Sequence, residues 1–279
     1  MSATDPRSIL TAAVDGAPLD LAKVREYLDA KRLGTKFHYF VEIGSTNTHA
    51  RELAEKGAAE GEVVLAESQT HGRGRLGRRW ESPPLTNLYF SVILRPKLAP
   101  VHAPQITLTA AVALAETIDS LIPLSPVIKW PNDILVNGKK LAGILAEAVC
   151  ARERVEYVIL GIGVNVNCPV DAMSQELRQR ATSLFDVTRI HMDREFVLRR
   201  LIQDLDRCYG DLEQFGFEAI APQWEARFGL RGKRVRIELR DQVLIGRARG
   251  LARDGALLVE GDDGILQKVI AGDVIPLET

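Results

Sequence analysis

The sequence predicts an α/β domain followed by a small β-barrel, and three observations support that prediction. Strand-length apolar runs alternate with helically spaced segments from about residue 20 to residue 217. Within them, APQITLTAAVALAETIDSLI is apolar nearly all round at helical length, which suggests a helix buried against a sheet. After Gly229 the texture changes to short strands separated by RDQ, RDG and GDDG, a pattern of hairpins that suits a small barrel. The expected division is a large domain over residues 1–229 and a small one over 230–279.

Each element has a local reason. Asp20 is a good N-cap, and Leu21, Val24, Leu28 and Leu33 follow at near-helical spacing, so a short helix is expected to run to about Gly34. KFHYFVEI reads as a strand. In GSTNTHARELAEKG, Ser45, Thr46 and Asn47 offer caps and Gly57 a C-terminal stop, giving strand, polar turn, helix. EVVLAE and NLYFSVILRP are further strands, the second closed by Pro96, and Pro83 and Pro84 make the stretch between them a loop. VIKW, DILV and KKLAGILAEAV are strand signals broken by Pro131 and by Asn137-Gly138, a type I′ hairpin turn. VEYVILGIGVNVNC is another long strand. From Arg194 to about Phe217 the apolar residues recur helically.

Composition narrows the function. Lysine and arginine total 36 against 37 aspartate and glutamate, so a formal net charge of -1 supplies no global field for nucleic acid or anionic lipid. Any anion site must be local. Cys150, Cys168 and Cys208 are an odd count without C-x-x-C spacing, which argues against a disulfide framework or a structural zinc; buried free thiols are expected. The five histidines have no metal-ligand spacing. No basic stretch followed by an apolar run opens the sequence, and no run approaches a membrane span, so the cytoplasm is the expected compartment.

QTHGRGRLGRRW, residues 69–80, sets Gly72, Gly74 and Gly77 in a literal G-x-G-x-x-G. A dinucleotide fingerprint needs a helix beginning at those glycines, and Pro83 and Pro84 forbid one. The glycines allow tight turns, while Arg73, Arg75, Arg78 and Arg79 offer planar donors to carboxylate or phosphate. The alternative is a solvated basic loop. Its arginines are expected to lack an internal anion and its glycines to cost entropy to fix, so the loop is expected to be mobile when empty and ordered by an arriving anion. Trp80 could stack a base, but no second basic tract supports nucleic acid. His71 has no acidic partner in sequence reach and reads as a loop residue.

A second constellation lies in KWPNDILVNGKKLAGILAE. Pleat alternation puts Lys129 and Lys140 on adjacent strands facing one site, with Asn132 and Asp133 at a corner fixed by Pro131. The bland alternative makes both lysines edge-strand charges and Asn132-Asp133 a plain turn. Lys140, flanked by Leu141 and close to Gly143 and Ile144, looks less like a solvent-facing lysine. Gly161, Gly163 and Asn165 in GIGVNVN mark a strand that something approaches closely.

Taken in order, these stretches resemble the biotin protein ligase family: its Ser-Thr-Asn turn, its Gly-Arg-Gly-Arg-x-Gly-Arg loop, its Lys-Trp-Pro-Asn-Asp and Lys-Leu-x-Gly-Ile-Leu segments and its Gly-x-Gly-x-Asn strand. The resemblance covers about Phe37 to Asn167 strongly. It implies a mixed sheet flanked by helices with a small SH3-like C-terminal domain. It also implies an activity: biotin is activated with ATP as biotinyl-5′-AMP, releasing pyrophosphate, and then passed to a lysine of a biotin carboxyl carrier protein or domain. Mg²⁺ is expected with the nucleotide.

The resemblance further implies roles. Ser45, Thr46, Asn47, Gln69, Gly72, Gly74 and Gly143 would bind biotin or line its pocket. Arg73 and Lys140 would lie at the biotin carboxylate and adenylate phosphate, and Arg75 would serve both substrates. Arg78, Trp80, Lys129, Asn132 and Asn165 would lie on the ATP side, Trp80 near adenine. Asp133 is a candidate to orient or deprotonate the incoming amine, or else a turn residue. Some family members carry an N-terminal winged helix; no convincing helix-turn-helix precedes Asp20, so DNA binding is not expected. A homodimer is left open. A lipoate-protein ligase is the nearest enzymatic rival, and a non-catalytic biotin sensor the rival of another class.

Overall fold

Asp20 does cap a helix: its carboxylate accepts from the Ala22 N–H at 2.9 Å, and α1 (Leu21–Glu26) follows. The helix stops well short of Gly34. The N–H groups of Lys31, Arg32 and Leu33 turn instead to the Asp206 carboxylate, at 2.8, 2.9 and 2.9 Å. The computed structural model describes residues 16–239 and 242–277. The stretch before residue 16, where the absence of a helix-turn-helix was expected, and part of the RDQ turn lie outside the described residues.

The large unit is built on β1 (Lys36–Ile43), α2 (Thr46–Glu55), β2 (Glu62–Gln69), β3 (Leu88–Leu94), α3 (Pro104–Leu121), β4 (Val127–Lys129), β5 (Asp133–Val136), β6 (Lys139–Ala151) and β7 (Arg154–Val164). The strands form one mixed sheet in the order β1-β2-β3-β7-β6-β5-β4. β1 and β2, joined through α2, are parallel, and every other neighbouring pair is antiparallel. Asn137 and Gly138 take φ values of 51° and 76°, the pair of left-handed residues that a two-residue hairpin turn needs. One expectation fails here. β5 lies between β4 and β6, so Lys129 and Lys140 are not on adjacent strands; Lys129 sits opposite Asp133.

Central strands are apolar on both faces because both are covered. Val63, Leu65, Val92 and Leu160 point to the side of α3 and of α6 (Arg194–Phe215), which follows the short helices α4 (Gln175–Arg178) and α5 (Leu184–Thr188). Val64, Ile93 and Ile159 point to the other side, where Ala50 and Ala54 of α2 meet them. Period-two alternation therefore sorts each strand into a deep core face and an α2 face. The α2 face runs out of apolar residues toward Ser91, Gly161 and Gly163, and the candidate site lies there.

After α7 (Ala221–Ala226), the chain forms β8 (Arg234–Glu238), β9 (Val243–Leu251), β10 (Leu257–Glu260), β11 (Leu266–Val269) and β12 (Asp273–Pro276). They make a five-stranded antiparallel sheet in the order β11-β10-β9-β8-β12. β12 is too short to stand out in the sequence, and its Pro276 is tolerated on an edge. This sheet packs beside the start of α3, where Gln105 Nε2 donates to Arg253 O at 3.1 Å. Cys168 and Cys208 are buried as expected, and burial pushes the Cys208 thiol up to about 12. Cys150 departs from expectation and is exposed, because it lies near the end of β6, beyond the covered part of the sheet. Among the described residues no helix is long and apolar enough to cross a membrane.

Candidate active site

The polar turn at the start of α2 is buried. Ser45, Thr46 and Asn47 are each 5% exposed or less, so their polar atoms need partners. Gln69, at the end of β2, accepts from the Thr46 N–H at 2.9 Å and from its hydroxyl at 3.1 Å. The Gln69 amide nitrogen in turn donates to Ser82 Oγ at 3.1 Å. Ser91 on β3, fully buried, reaches Thr46 Oγ1 at 2.8 Å and Asn47 Oδ1 at 2.7 Å. Asn47 Nδ2 donates to Glu147 Oε2 at 2.9 Å and to Leu145 O at 3.2 Å. Gly161 is obligatory beneath this cluster, since a Cβ there would stand 1.9 Å from Asn47 Oδ1.

The Arg-Gly stretch is a small hairpin, and its ladder shows why the glycines are there. Trp80 N donates to Gly72 O at 3.0 Å, Arg73 bridges Arg79, and Gly74 N donates to Arg78 O at 2.7 Å. Arg75–Gly77 is a single tight turn, with Leu76 and Gly77 left-handed at φ 56° and 74°, so no helix begins at these glycines. A Cβ on Gly72 would meet Trp80 O at 2.3 Å. The expectation that these arginines lack an internal anion is wrong. Arg73 forms a two-bonded pair with Glu147, at 2.9 and 3.1 Å. Arg78 pairs with Asp273 of β12, and Arg75 donates to Asn132 Oδ1 at 3.1 Å and to Gly272 O at 3.2 Å. Those anions come from β6 and the C-terminal sheet, remote in sequence from the loop.

Lys140, the second residue of β6, is held from both sides. Its N–H donates to Arg180 O at 2.8 Å, and its carbonyl accepts from Thr182 N at 2.9 Å. Its ammonium lies 2.6 Å from Asp133 Oδ1 and 5.2 Å from the centre of the Trp80 ring. The indole rests on the sheet: a Cβ on Gly163 would come within 2.5 Å of it, and one on Gly143 within 2.8 Å. Trp80 Nε1 is buried and has no hydrogen-bond partner among the described residues. An orphaned donor above a glycine floor, beside an ammonium, suits an acceptor arriving with a ligand. Burial pushes the Arg75 guanidinium below its ordinary value, against Asp273 and Asp133, which raise it. It stays a cation nonetheless.

Sequence reasoning therefore finds residues that the fold brings together: Ser45, Thr46, Asn47, Gln69, Gly72, Arg73, Gly74, Trp80, Asp133, Lys140 and Gly143 all belong to the α2 face or the hairpin above it. Arg75 and Arg78 lean to the C-terminal sheet. Asn165 turns its amide to Thr182 O at 3.0 Å, and Asn132 turns its own to Ile144 O at 2.7 Å. His71 is exposed; its ring Nδ1 hydrogen-bonds with Thr70 Oγ1, and no acid pairs with it among the described residues. Two residues were missed. Ser91 hides in the apolar run NLYFSVILRP, while Glu147 carries a signal, a lone carboxylate inside the apolar run AGILAEAV.

A model of the biotin/lipoate A/B protein ligase family matches residues 39–165, and one of the biotin protein ligase C terminal domain matches residues 231–275. The chain is 38% identical over 256 residues to the bifunctional ligase/repressor BirA of Bacillus spizizenii, covering 92% of this chain and 78% of that protein. The chain belongs to the biotin protein ligase family. It is also 34% identical to the biotin--[acetyl-CoA-carboxylase] ligase of Mycobacterium tuberculosis, over 93% of this chain and 96% of that one. Among solved structures, the biotin protein ligase of Aquifex aeolicus in complex with biotin and ATP superposes with a TM-score of 0.74 at 27% identity, covering 88% of this chain and 100% of that one.

Proposed function

We propose that this member of the biotin protein ligase family activates biotin with ATP as biotinyl-5′-AMP and transfers biotin to a lysine of a biotin carboxyl carrier domain. The observation that carries the reading is the pairing, on one face of β6, of two cations with a buried polar cluster. Arg73 and Lys140 reach that face at Glu147 and Gly143, and the Ser45-Thr46-Asn47 turn with Gln69 and Ser91 lies beside it. The cluster offers the donors and acceptors that a ureido ring needs, and the cations offset charge where a carboxylate must meet an α-phosphate.

In the first step a biotin carboxylate oxygen attacks the α-phosphorus and pyrophosphate leaves. Arg73 and Lys140 offset the repulsion between the two anions, and Asp133 holds the Lys140 ammonium in place. In the second step a neutral lysine amine attacks the acyl carbon and AMP leaves, with Asp133 the candidate acceptor for the amine's proton. The hairpin over the site keeps water from competing for the mixed anhydride. Arg75, Arg78, Lys129, Asn132 and Asn165 belong to the ATP side of this reading. Trp80 covers the slot between them. Mg²⁺ would come with the nucleotide and screen triphosphate charge, since it is held largely by phosphate oxygens and water.

Residues 1–229 form the catalytic unit in this reading, and 230–279 the C-terminal unit that supplies Asp273 to the hairpin. Mass spectrometry of a carrier domain incubated with the protein, biotin and MgATP tests it, with lipoate as a parallel substrate. One biotin-sized mass gain on one lysine is expected. Gain from lipoate alone, or pyrophosphate-free biotin binding, refutes the reading in favour of a lipoate ligase or a biotin sensor.

A further inference from the structure

Glu147 is an acid at a half-buried position of β6, on the face that meets the head of α2. Its side chain is 16% exposed, and a carboxylate so placed is tolerated only when paired. Its partners are specific. Oε2 accepts from both Asn47 Nδ2 (2.9 Å) and Arg73 Nη1 (3.1 Å), while Oε1 accepts from Arg73 Nη2 at 2.9 Å and lies 3.4 Å from Arg51 Nη2. One oxygen thus joins the residue at the head of α2 to the residue in the Arg-Gly hairpin.

An ionised carboxylate only accepts, so Asn47 must turn its NH₂ toward Glu147 and its carbonyl oxygen toward the Ser91 hydroxyl. Both donors of that amide are then spent inside the protein, on Glu147 and on Leu145 O. Asn47 is left with one carbonyl lone pair of fixed direction to show a ligand. The guanidinium of Arg73 spends two of an arginine's five N–H donors on Glu147 and keeps the rest. Its side chain is 45% exposed, so those remaining donors face outward with their plane already set.

We propose that Glu147 is a positioning residue of this site, one carboxylate that orients the Asn47 amide and the Arg73 guanidinium together, so that recognition of the biotin ring and capture of its carboxylate are held in one frame. The proposal rests on the biotin-ligase reading. Glu147 does not touch the reacting atoms; it acts through its two neighbours, and the two halves of its action separate chemically. Glu147→Gln keeps an acceptor for Asn47 but gives up the charge that holds Arg73. Glu147→Ala gives up both.

The test measures binding of biotin and of its methyl ester by calorimetry, and single-turnover pyrophosphate release, for the full-length protein and its variants. Losing the charge-assisted pair should weaken biotin binding and slow adenylation by about 10- to 100-fold in Glu147→Gln, while ester binding stays within about twofold. Glu147→Ala should weaken acid and ester alike. In an Arg73→Ala background, Glu147→Gln should add less than about a further twofold. Arg73→Gln, on the exposed side of the pair, should carry the same acid-over-ester loss without touching the strand. The proposal is overturned if Glu147→Gln weakens acid and ester equally, if it leaves or tightens acid binding, or if its effect persists undiminished without Arg73. A wild-type chain that binds neither compound refutes the ligase reading and the proposal with it.

Discussion

Gly161 is the floor on which Asn47 rests, and the space above it is measurable. A methyl added at Gly161 would lie 1.9 Å from Asn47 Oδ1, 2.8 Å from its Cγ and 3.0 Å from its Nδ2. Ordinary contact begins near 3.4 Å, so the amide must withdraw by about 1.5 Å. Its bonds to Ser91 (2.7 Å), Glu147 (2.9 Å) and Leu145 O (3.2 Å) do not survive that displacement. Overpacking and the broken bonds together should make Gly161→Ala less stable by about 2 to 5 kcal/mol. Asn47→Ala alone loses the bonds without the clash and should cost about 1 to 3 kcal/mol. In the double variant the new methyl enters the space the amide has left, so stability should fall no further than in Asn47→Ala. Urea unfolding followed by circular dichroism measures all three. A Gly161→Ala protein within about 0.5 kcal/mol of wild type, or losses that simply add in the double variant, refutes the close approach.

Three further outcomes are expected. Lys140→Ala should slow adenylate formation by about 30- to 1000-fold, a loss of roughly 2 to 4 kcal/mol of charge stabilisation, and near-normal single-turnover pyrophosphate release by a folded variant would exclude the role. Asp273→Asn removes the anion from Arg75 and Arg78, so trypsin should cut the ligand-free hairpin severalfold faster than in wild type; equal rates would show that Asp273 does not hold it. Glu60 tests acid stability: burial raises its carboxyl, but the Arg32 guanidinium, the Arg95 N–H and the Tyr209 hydroxyl outweigh burial and hold it below its ordinary 4.5. Its contribution is complete above that value and is lost as pH falls through the lower folded one, so Glu60→Gln should flatten the acid limb of the stability curve and leave neutral pH dependence unchanged.

What the sequence made legible was local. Asn137-Gly138 specifies its own turn, Ser45-Thr46-Asn47 its own helix start, and the alternation in NLYFSVILRP its own strand, because the forces that form them act within a few residues. Most of the misses involve partners far along the chain. α1 ends early because Asp206 takes the backbone donors that would have extended the expected helix to Gly34. The loop arginines looked unpaired because Glu147 lies 74 residues from Arg73, and Asp273 lies 195 from Arg78. Lys129 and Lys140 looked adjacent because pleat alternation says which face a residue takes but not which strand stands between two others. Ser91 carried no signal, since a lone serine in an apolar run is common. Glu147 did carry one, and a charged residue inside an apolar run is worth pursuing for its partner.

The chain has three tryptophans, and their environments differ in a way that makes the protein its own optical probe. Trp130 and Trp224 are buried in the core, Trp130 with its indole N–H toward Gly255 O and Trp224 stacked on Phe228. Of the three, Trp80 lies over the glycine floor with the Lys140 ammonium against its ring. A molecule entering that slot changes the hydrogen bonding, polarity and local charge around Trp80 directly. The part of the difference spectrum that Trp80→Phe removes belongs to that one side chain, and through it occupancy of the slot can be followed in real time without attaching a dye.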